Sequence, residues 1–458
     1  MPDKAIVNGK AVLPGGACEC SIVMGEEGRI KAILDPASPI NSAECEIVDA
    51  KDCIIFPGGI DAHVHLVDGY DDMPVHPADN CYTGTMAALA GGTTTIVDFV
   101  CSSQEKKESP KEIIVRRKEQ ASNCVADYAF QYTFTQRYEQ ELKELDIIVK
   151  EGITSFKVFT YYDDTLLDRG AIGEIMESVK DIGVIKIHSE APDIIDIMEK
   201  RADGRGDKGI VQHSLTRPNI AELLSVRDMI ALHKLTGAKI CIAHTSAGET
   251  LAEKEKEILQ GDSFFVETCP HYMEFTRDRM CGKDGVLYTM APPLRSRNDA
   301  DALWEGALNG TVDFIATDHC PFLKSEKWAC DGNYHNVPYG VDGIQSRMHY
   351  MFSEGVMKRG MPLERFANLT AANPAKLYNM YPQKGCIAPG SDADLVIIDP
   401  NEKWIYTNKD IVGDCDYSVY DGMEFQGRIK KVFSRGELVY DNGRVNAKKG
   451  RGKFVACK

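Results

Sequence analysis

The sequence predicts an α/β protein: a (β/α)8, TIM-like barrel with a small β-sandwich domain formed by both chain termini. Three observations carry that expectation. Apolar strand-like runs alternate with helix-like stretches through the middle of the chain, the pattern of βα units around a parallel sheet. The two ends of the chain are instead built of strands and turns. No G-x-G-x-x-G opens a helix after the first strand of the middle region, which counts against an open doubly wound sheet.

Taken in order, the chain up to residue 55 reads as short strands separated at Asn8-Gly9, Pro14-Gly15-Gly16 and Gly25-Glu26-Glu27-Gly28, which are turn signals. The first barrel strand is expected at 54–66. Seven more follow at 93–100, 127–134, 154–160, 184–188, 239–244, 263–268 and 312–317. Helices are expected between or after them, for example at 83–89, 171–180, 220–235 and 363–378. Late in the chain strands return, in Ala393-Asp394-Leu395-Val396-Ile397-Ile398, Lys431-Val432-Phe433 and Glu437-Leu438-Val439-Tyr440, with a turn at Asp441-Asn442-Gly443. The expected domains are 1–55 with 388–458 for the sandwich and 56–387 for the barrel.

Composition narrows the function. At 458 residues, 43% hydrophobic and 27% charged, the chain can bury a large core. A net charge of -16 and a pI near 5.2 argue against a nucleic-acid or anionic-membrane surface, which needs clustered Lys and Arg. The fifteen cysteines contain no C-x-x-C pair, so neither a disulfide framework nor a zinc ribbon is indicated. The first residues lack the series of a secretory signal, and no run of ~18 apolar residues suggests a membrane span. A cytoplasmic protein with reduced thiols is expected.

In a barrel, active sites gather where the strands end. Gly59-Ile60-Asp61-Ala62-His63-Val64-His65 places two imidazoles at i and i+2, on one face of a strand. Later strands end in His188, His244 and Thr317-Asp318. Four histidines and an aspartate at one end of a barrel make a plausible ligand set for zinc or a similar ion. Lys157 lies inside Ser155-Phe156-Lys157-Val158-Phe159, where a buried ammonium is costly unless paired or chemically changed. Added carbon dioxide would turn it into a carbamate, an anion with two oxygens. The bland readings are a core His-x-His, Asp318 as a helix N-cap and Lys157 in a buried ion pair.

These residues reach a resemblance that spans nearly the whole chain. Pro57-Gly58-Gly59-Ile60-Asp61-Ala62-His63-Val64-His65, Gly91-Gly92-Thr93-Thr94-Thr95, Ser155-Phe156-Lys157-Val158-Phe159, Ala291-Pro292-Pro293-Leu294-Arg295 and Thr317-Asp318-His319-Cys320-Pro321-Phe322 are similar to motifs of the cyclic amidohydrolases, within them the dihydropyrimidinase and hydantoinase family. The resemblance implies a tetrameric enzyme that opens a small cyclic amide with two divalent metal ions, usually zinc. It implies one ion on His63, His65 and Asp318 and the other on His188 and His244. N6-carboxylated Lys157 and a hydroxide would bridge them. Asp318 is implied as the catalytic base and acid. Tyr162, five residues after the lysine, is implied as the substrate-binding tyrosine, with adjacent Tyr161 as a packing alternative.

Two positions depart from the family pattern. Ala291 stands where a serine is usual, and Tyr339 where an asparagine is usual, in the part of the chain expected to hold the cyclic amide. The preferred ring is open at this point: dihydropyrimidines and 5-substituted hydantoins come first, with an allantoinase- or dihydroorotase-like ring opener as alternative. Val67, where dihydroorotases typically carry arginine, counts against the last of these. A non-catalytic scaffold homologue is the reading from another class. His271 and His319 follow strand ends and are candidates to orient ligands. The loop 66–79, with Tyr70, Met73 and Val75, is expected with Phe159 to read the exocyclic group.

Overall fold

The structure is a computed structural model that describes residues 3–41, 45–66, 75–102, 107–162, 165–262 and 264–457. Tyr70 and Met73 of the expected substituent loop lie outside the described residues.

The first strands are β1 (Asp3–Leu13), β2 (Gly16–Met24), β3 (Ile30–Leu34), β4 (Cys45–Asp49) and β5 (Ile54–Pro57). Asn8-Gly9 does not end a strand. Asn8 adopts a left-handed φ of 63° and the β1–β2 register shifts between Ile6 and Gly9, so the pair forms a bulge inside one long strand. Beyond the bulge, β1 turns from pairing with β4 to pairing with β5.

The chain passes from this sheet to the barrel at Gly58. A Cβ there would lie 2.2 Å from Thr94 Oγ1 and 2.9 Å from Asp394 Cβ, so only glycine fits. The expected strand 54–66 is therefore two strands in two sheets, β5 and β6 (Gly59–Asp61). The remaining barrel strands are β7 (Thr93–Cys101), β8 (Asp127–Thr133), β9 (Ser155–Phe159), β10 (Val184–His188), β11 (Lys239–Ile242), β12 (Phe265–Thr268) and β13 (Phe314–Ile315). These eight form one parallel sheet in chain order from β6 to β13.

Side chains and a backbone bridge complete the ring between its first and last strands. Asp61 accepts from the Thr317 N–H (3.1 Å) and hydroxyl (2.6 Å), and His65 N–H donates to His319 O (2.9 Å). Buried Arg347 donates to the carbonyls of Ile60 (3.0 Å) and Ile315 (2.9 Å). Ile60, Ala62, Val97, Ala129, Val184, Cys241, Phe314 and Ala316 pack together as one apolar cluster with Tyr378, Val455 and Cys457.

Helices cover the outside. The helix Cys81–Ala90 starts at Asn80, whose side chain accepts from the N–H groups of Tyr82 and Thr83. The expected helix 363–378 is interrupted by a π turn, Asn368–Ala372, just before Pro374. Proline has no N–H to return to the carbonyl four residues back, so the ladder widens, and Arg347 takes up the Thr370 carbonyl (3.4 Å). The chain then supplies β14 (Leu395–Ile405), β15 (Glu424–Ser434), β16 (Glu437–Asp441) and β17 (Arg444–Val445) to the first sheet. Its order is β17-β16-β15-β14-β5-β1-β2-β3, with β4 on β1. Both termini thus build one mainly antiparallel sheet beside the barrel. Among the described residues, no helix is long and apolar enough to cross a membrane.

Candidate metal centre and substrate cavity

A cavity of about 270 Å³ opens among the ends of the barrel strands. It is lined by His63, His65, Lys157, His188, His244 and Asp318, and by Tyr162, Ala291 and Tyr339. The six expected metal ligands and the three expected substrate-binding residues therefore meet at one place, whereas Val75 of the expected substituent loop is not among the lining residues. The positions differ from the expectation in one respect: only Lys157 and His188 are within strands, whereas His63, His65, His244 and Asp318 lie just past strand ends. His244 (φ 33°), Asp318 (φ 51°) and Tyr162 (φ 82°) take left-handed backbone conformations that non-glycine residues rarely adopt. Such strain is held where the surroundings fix a side chain's aim.

The polar atoms converge. His63 Nε2 lies 3.2 Å and His65 Nε2 3.0 Å from Asp318 Oδ1. His188 Nδ1 lies 3.0 Å from His244 Nε2. His63, His244 and Asp318 offer donor atoms within 4.8 Å of one another, so the two histidine pairs and the aspartate share one small volume. Burial, then neighbouring positive charge, lowers the pKa of His63, and burial does the same to His188 and His244, so the imidazoles are neutral, the form that binds metal. Burial opposes ionisation of Asp318, but the hydrogen bond with His65 and the nearby His244 hold its carboxyl well below the usual range.

Lys157 Nζ is wholly buried and has no hydrogen-bond partner in the structure. Burial and the Lys186 ammonium lower its pKa to about 7. An orphaned, weakly basic amine among imidazoles and a carboxylate fits a centre built for divalent cations.

Other residues were not read from the sequence. Glu267, near the end of β12, accepts from Lys186 Nζ (2.6 Å) and contacts His63 Nδ1 (2.6 Å). Glu190 contacts His188 Nε2 (2.9 Å) and accepts from Arg217 Nη1 (2.6 Å). Glu267 could have been found as an acidic residue at a strand end; nothing local marks Arg217, on a loop far along the chain. Cys101, Thr133, Thr165, Cys320 and Gly340 also line the cavity, beside Phe159, which the sequence places near the exocyclic group.

Of the two adjacent tyrosines, Tyr162 faces the cavity, whereas Tyr161 packs under the Arg217 guanidinium (4.2 Å). Burial raises the Tyr162 pKa well above its ordinary value, so the phenol keeps its proton. Tyr339 stacks on His213 (4.0 Å between centroids) and donates its hydroxyl to Tyr334 O (2.8 Å). His319 donates to Asp79 (3.0 Å) and accepts from the Gly343 N–H (3.1 Å), bracing the turn that carries Asp318. His271 is buried with neither ring nitrogen hydrogen-bonded in the structure.

The sequence model of the amidohydrolase family matches residues 54–439. The chain belongs to the amidohydrolase family. It is 34% identical over 457 residues to a D-phenylhydantoinase of Escherichia coli O1:K1 / APEC, covering 99% of this chain and 98% of that one. A D-hydantoinase of Streptomyces coelicolor is 33% identical over 467 residues, with the same coverage. Among solved structures, a dihydropyrimidinase from Brevibacillus agri NCHU1002 superposes with a TM-score of 0.94 at 33% identity, covering 100% of this chain and 99% of that one.

Proposed function

We propose that this member of the amidohydrolase family is a metal-dependent hydrolase that opens the cyclic amide of dihydropyrimidines or 5-substituted hydantoins to N-carbamoyl amino acids. The observation that carries the reading is the meeting of four histidines, an ionised aspartate and an unpartnered buried lysine in one cavity. Full-length similarity to hydantoinases supports the choice of reaction.

His63, His65 and Asp318 would hold one divalent cation, most suitably zinc given the imidazole donors, and His188 and His244 a second. N6-carboxylated Lys157 would bridge the two. Bound there, the cations would supply Lewis acidity, polarising the amide carbonyl and lowering the pKa of a water between them.

The chain's own groups do the rest. Tyr162 donates a hydrogen bond to the oxygen that gains negative charge when the carbonyl is attacked. Asp318 takes the proton of the attacking water and returns it to the departing ring nitrogen, so a C–O bond forms, the ring C–N bond breaks and no net proton is consumed. The backbone around Ala291 and Tyr339 binds the ring. No arginine or lysine other than Lys157 lines the described cavity, which supports an uncharged cyclic amide over a carboxylated one. The filled donor set speaks against a non-catalytic scaffold. A cytoplasmic homotetramer is the assembly we expect from the family.

Asp318→Asn keeps an oxygen for coordination and loses the base. We expect hydantoin and dihydrouracil hydrolysis to fall by at least about 10²-fold with metal content retained, measured on the same preparation by turnover and elemental analysis. Near-normal turnover in a metal-loaded variant would remove Asp318 from the mechanism.

A further inference from the structure

The histidines of the centre do not present the same ring nitrogen, and a buried glutamate stands behind each choice. His63 turns Nδ1 to Glu267 (2.6 Å), which leaves Nε2 facing Asp318 (3.2 Å). His188 does the opposite: Nε2 is on Glu190 (2.9 Å) and Nδ1 faces His244 (3.0 Å). A neutral imidazole carries one proton, and the nitrogen that donates to a neighbour is the one that cannot ligate.

Each glutamate is an acceptor because a buried cation holds it. Glu267 accepts from Lys186 through Oε2 (2.6 Å) and from the His244 backbone N–H through Oε1 (3.1 Å). Glu190 accepts from Arg217 Nη1 (2.6 Å) through Oε2, the same oxygen that meets His188. All four side chains are buried, and none of them lines the cavity. Lys186 also donates to Ala62 O (2.6 Å), between the two strand-end histidines of β6 and their strand, so its pair with Glu267 is anchored to the barrel wall. Arg217 is anchored by its contact with Tyr161 (4.2 Å) and by the bond from Arg295 to its carbonyl oxygen.

We infer that Glu267–Lys186 and Glu190–Arg217 are two separate positioning pairs, each fixing the tautomer of one ligand histidine and thereby loading one of the two cation positions. Glu267 prepares Nε2 of His63, on the side of His65 and Asp318. Glu190 prepares Nδ1 of His188, on the side of His244. Loss of one pair therefore weakens one position and spares the other. The inference rests on the metal-centre reading above and adds residues that neither touch substrate nor bind the ions themselves.

The test is a titration of metal-stripped protein with Zn²⁺, together with ¹⁵N-histidine NMR of the stripped protein. Wild type is expected to take up two ions per chain, with His188 as the Nε2–H tautomer and His63 as the Nδ1–H tautomer. Glu190→Ala is expected to bind one ion with wild-type affinity and the other about 10–100-fold more weakly, with Nδ1–H appearing on His188 while His63 is unchanged. Glu190→Gln, which retains an acceptor oxygen, is expected to restore both ions. Wild-type affinity for both ions in a folded Glu190→Ala protein overturns the inference but leaves the metal centre standing. A wild-type protein that binds no zinc overturns both. If Glu190→Ala does not fold, the wild-type tautomers decide, since Nδ1–H on His188 contradicts the role given to Glu190.

Discussion

His213 is wholly buried, stacks on Tyr339 and donates from Nε2 to Met290 O (2.8 Å). Burial, with the Arg217 charge adding to it, lowers its pKa to about 3. The unfolded chain gains a proton on this ring near pH 6.5, and the folded chain does not until far lower. The unfolded state thus binds more protons between those values, so His213 contributes stability that is full above about pH 6.5 and lost as pH falls toward 3. The span corresponds to a few kcal/mol at most, on the order of 1.4 kcal/mol per unit. His213→Gln keeps a donor for Met290 and removes the titration. Urea unfolding from pH 7 to pH 4 should show the stability gap between wild type and this variant narrowing, or reversing, as the pH drops. Parallel curves would show that the ring does not titrate in this way. The same physics separates what was legible in the sequence from what was not. A histidine or aspartate at a strand end announces itself, as His188 and Asp318 do, whereas Glu190 and Arg217 matter only because the fold buries one against the other.

At the scale of elements, hydrophobic runs located every barrel strand but not the break between Pro57 and Gly59. From Ile55 to Leu66 every residue is buried, polar Asp61, His63 and His65 included, so periodicity carries no sign that β5 and β6 belong to different sheets. Only the crowding at Gly58 records it. The Asn8-Gly9 bulge was misread for a related reason: a left-handed residue signals a local kink, and whether the chain reverses there depends on the partner strand. The crossing makes a specific demand. Gly58→Ala drives a methyl group into Thr94, and is expected to cost about 1–3 kcal/mol, as overpacked cores do. Thr94→Ala in the same chain removes both the hydroxyl and methyl that the new Cβ would meet (2.2 and 2.8 Å). The double variant should therefore be more stable than the sum of the single losses allows, in a double-mutant cycle read by chemical denaturation. Simple additivity would mean that Thr94 is not what excludes a side chain at Gly58.

For the whole molecule, the barrel and the sheet from the two termini are fastened around one buried ammonium. Lys384 Nζ lies 2.6 Å from Asp127, 2.8 Å from Asp394 and 3.0 Å from Asp392. Asp127 opens the barrel strand β8, while Asp394 directly precedes β14 of the other sheet and accepts from the Arg435 N–H (2.7 Å). Arg435 reaches back to Asp127 through its side chain (3.1 Å). The three carboxylates are close enough to hold a metal ion, but the lysine already occupies the centre. Although burial disfavours its charge, these aspartates raise the pKa of Lys384 far above the ordinary value. Replacing it with methionine keeps the length and removes the charge, stranding buried carboxylates with only Arg435 to balance them. A loss of about 3–5 kcal/mol is expected, the usual consequence of breaking a buried pair from one side. The sign of its pH dependence identifies the cause. Without the ammonium, the aspartates of the folded state hold protons more tightly than those of the unfolded chain, so stability of the variant rises as pH falls from neutral toward the carboxylate range. The deficit of Lys384→Met should therefore be smaller at pH 5 than at pH 8 when both proteins are unfolded in urea. A deficit equal at both pH values would assign the loss to packing at the junction and not to the charge that Lys384 brings to it.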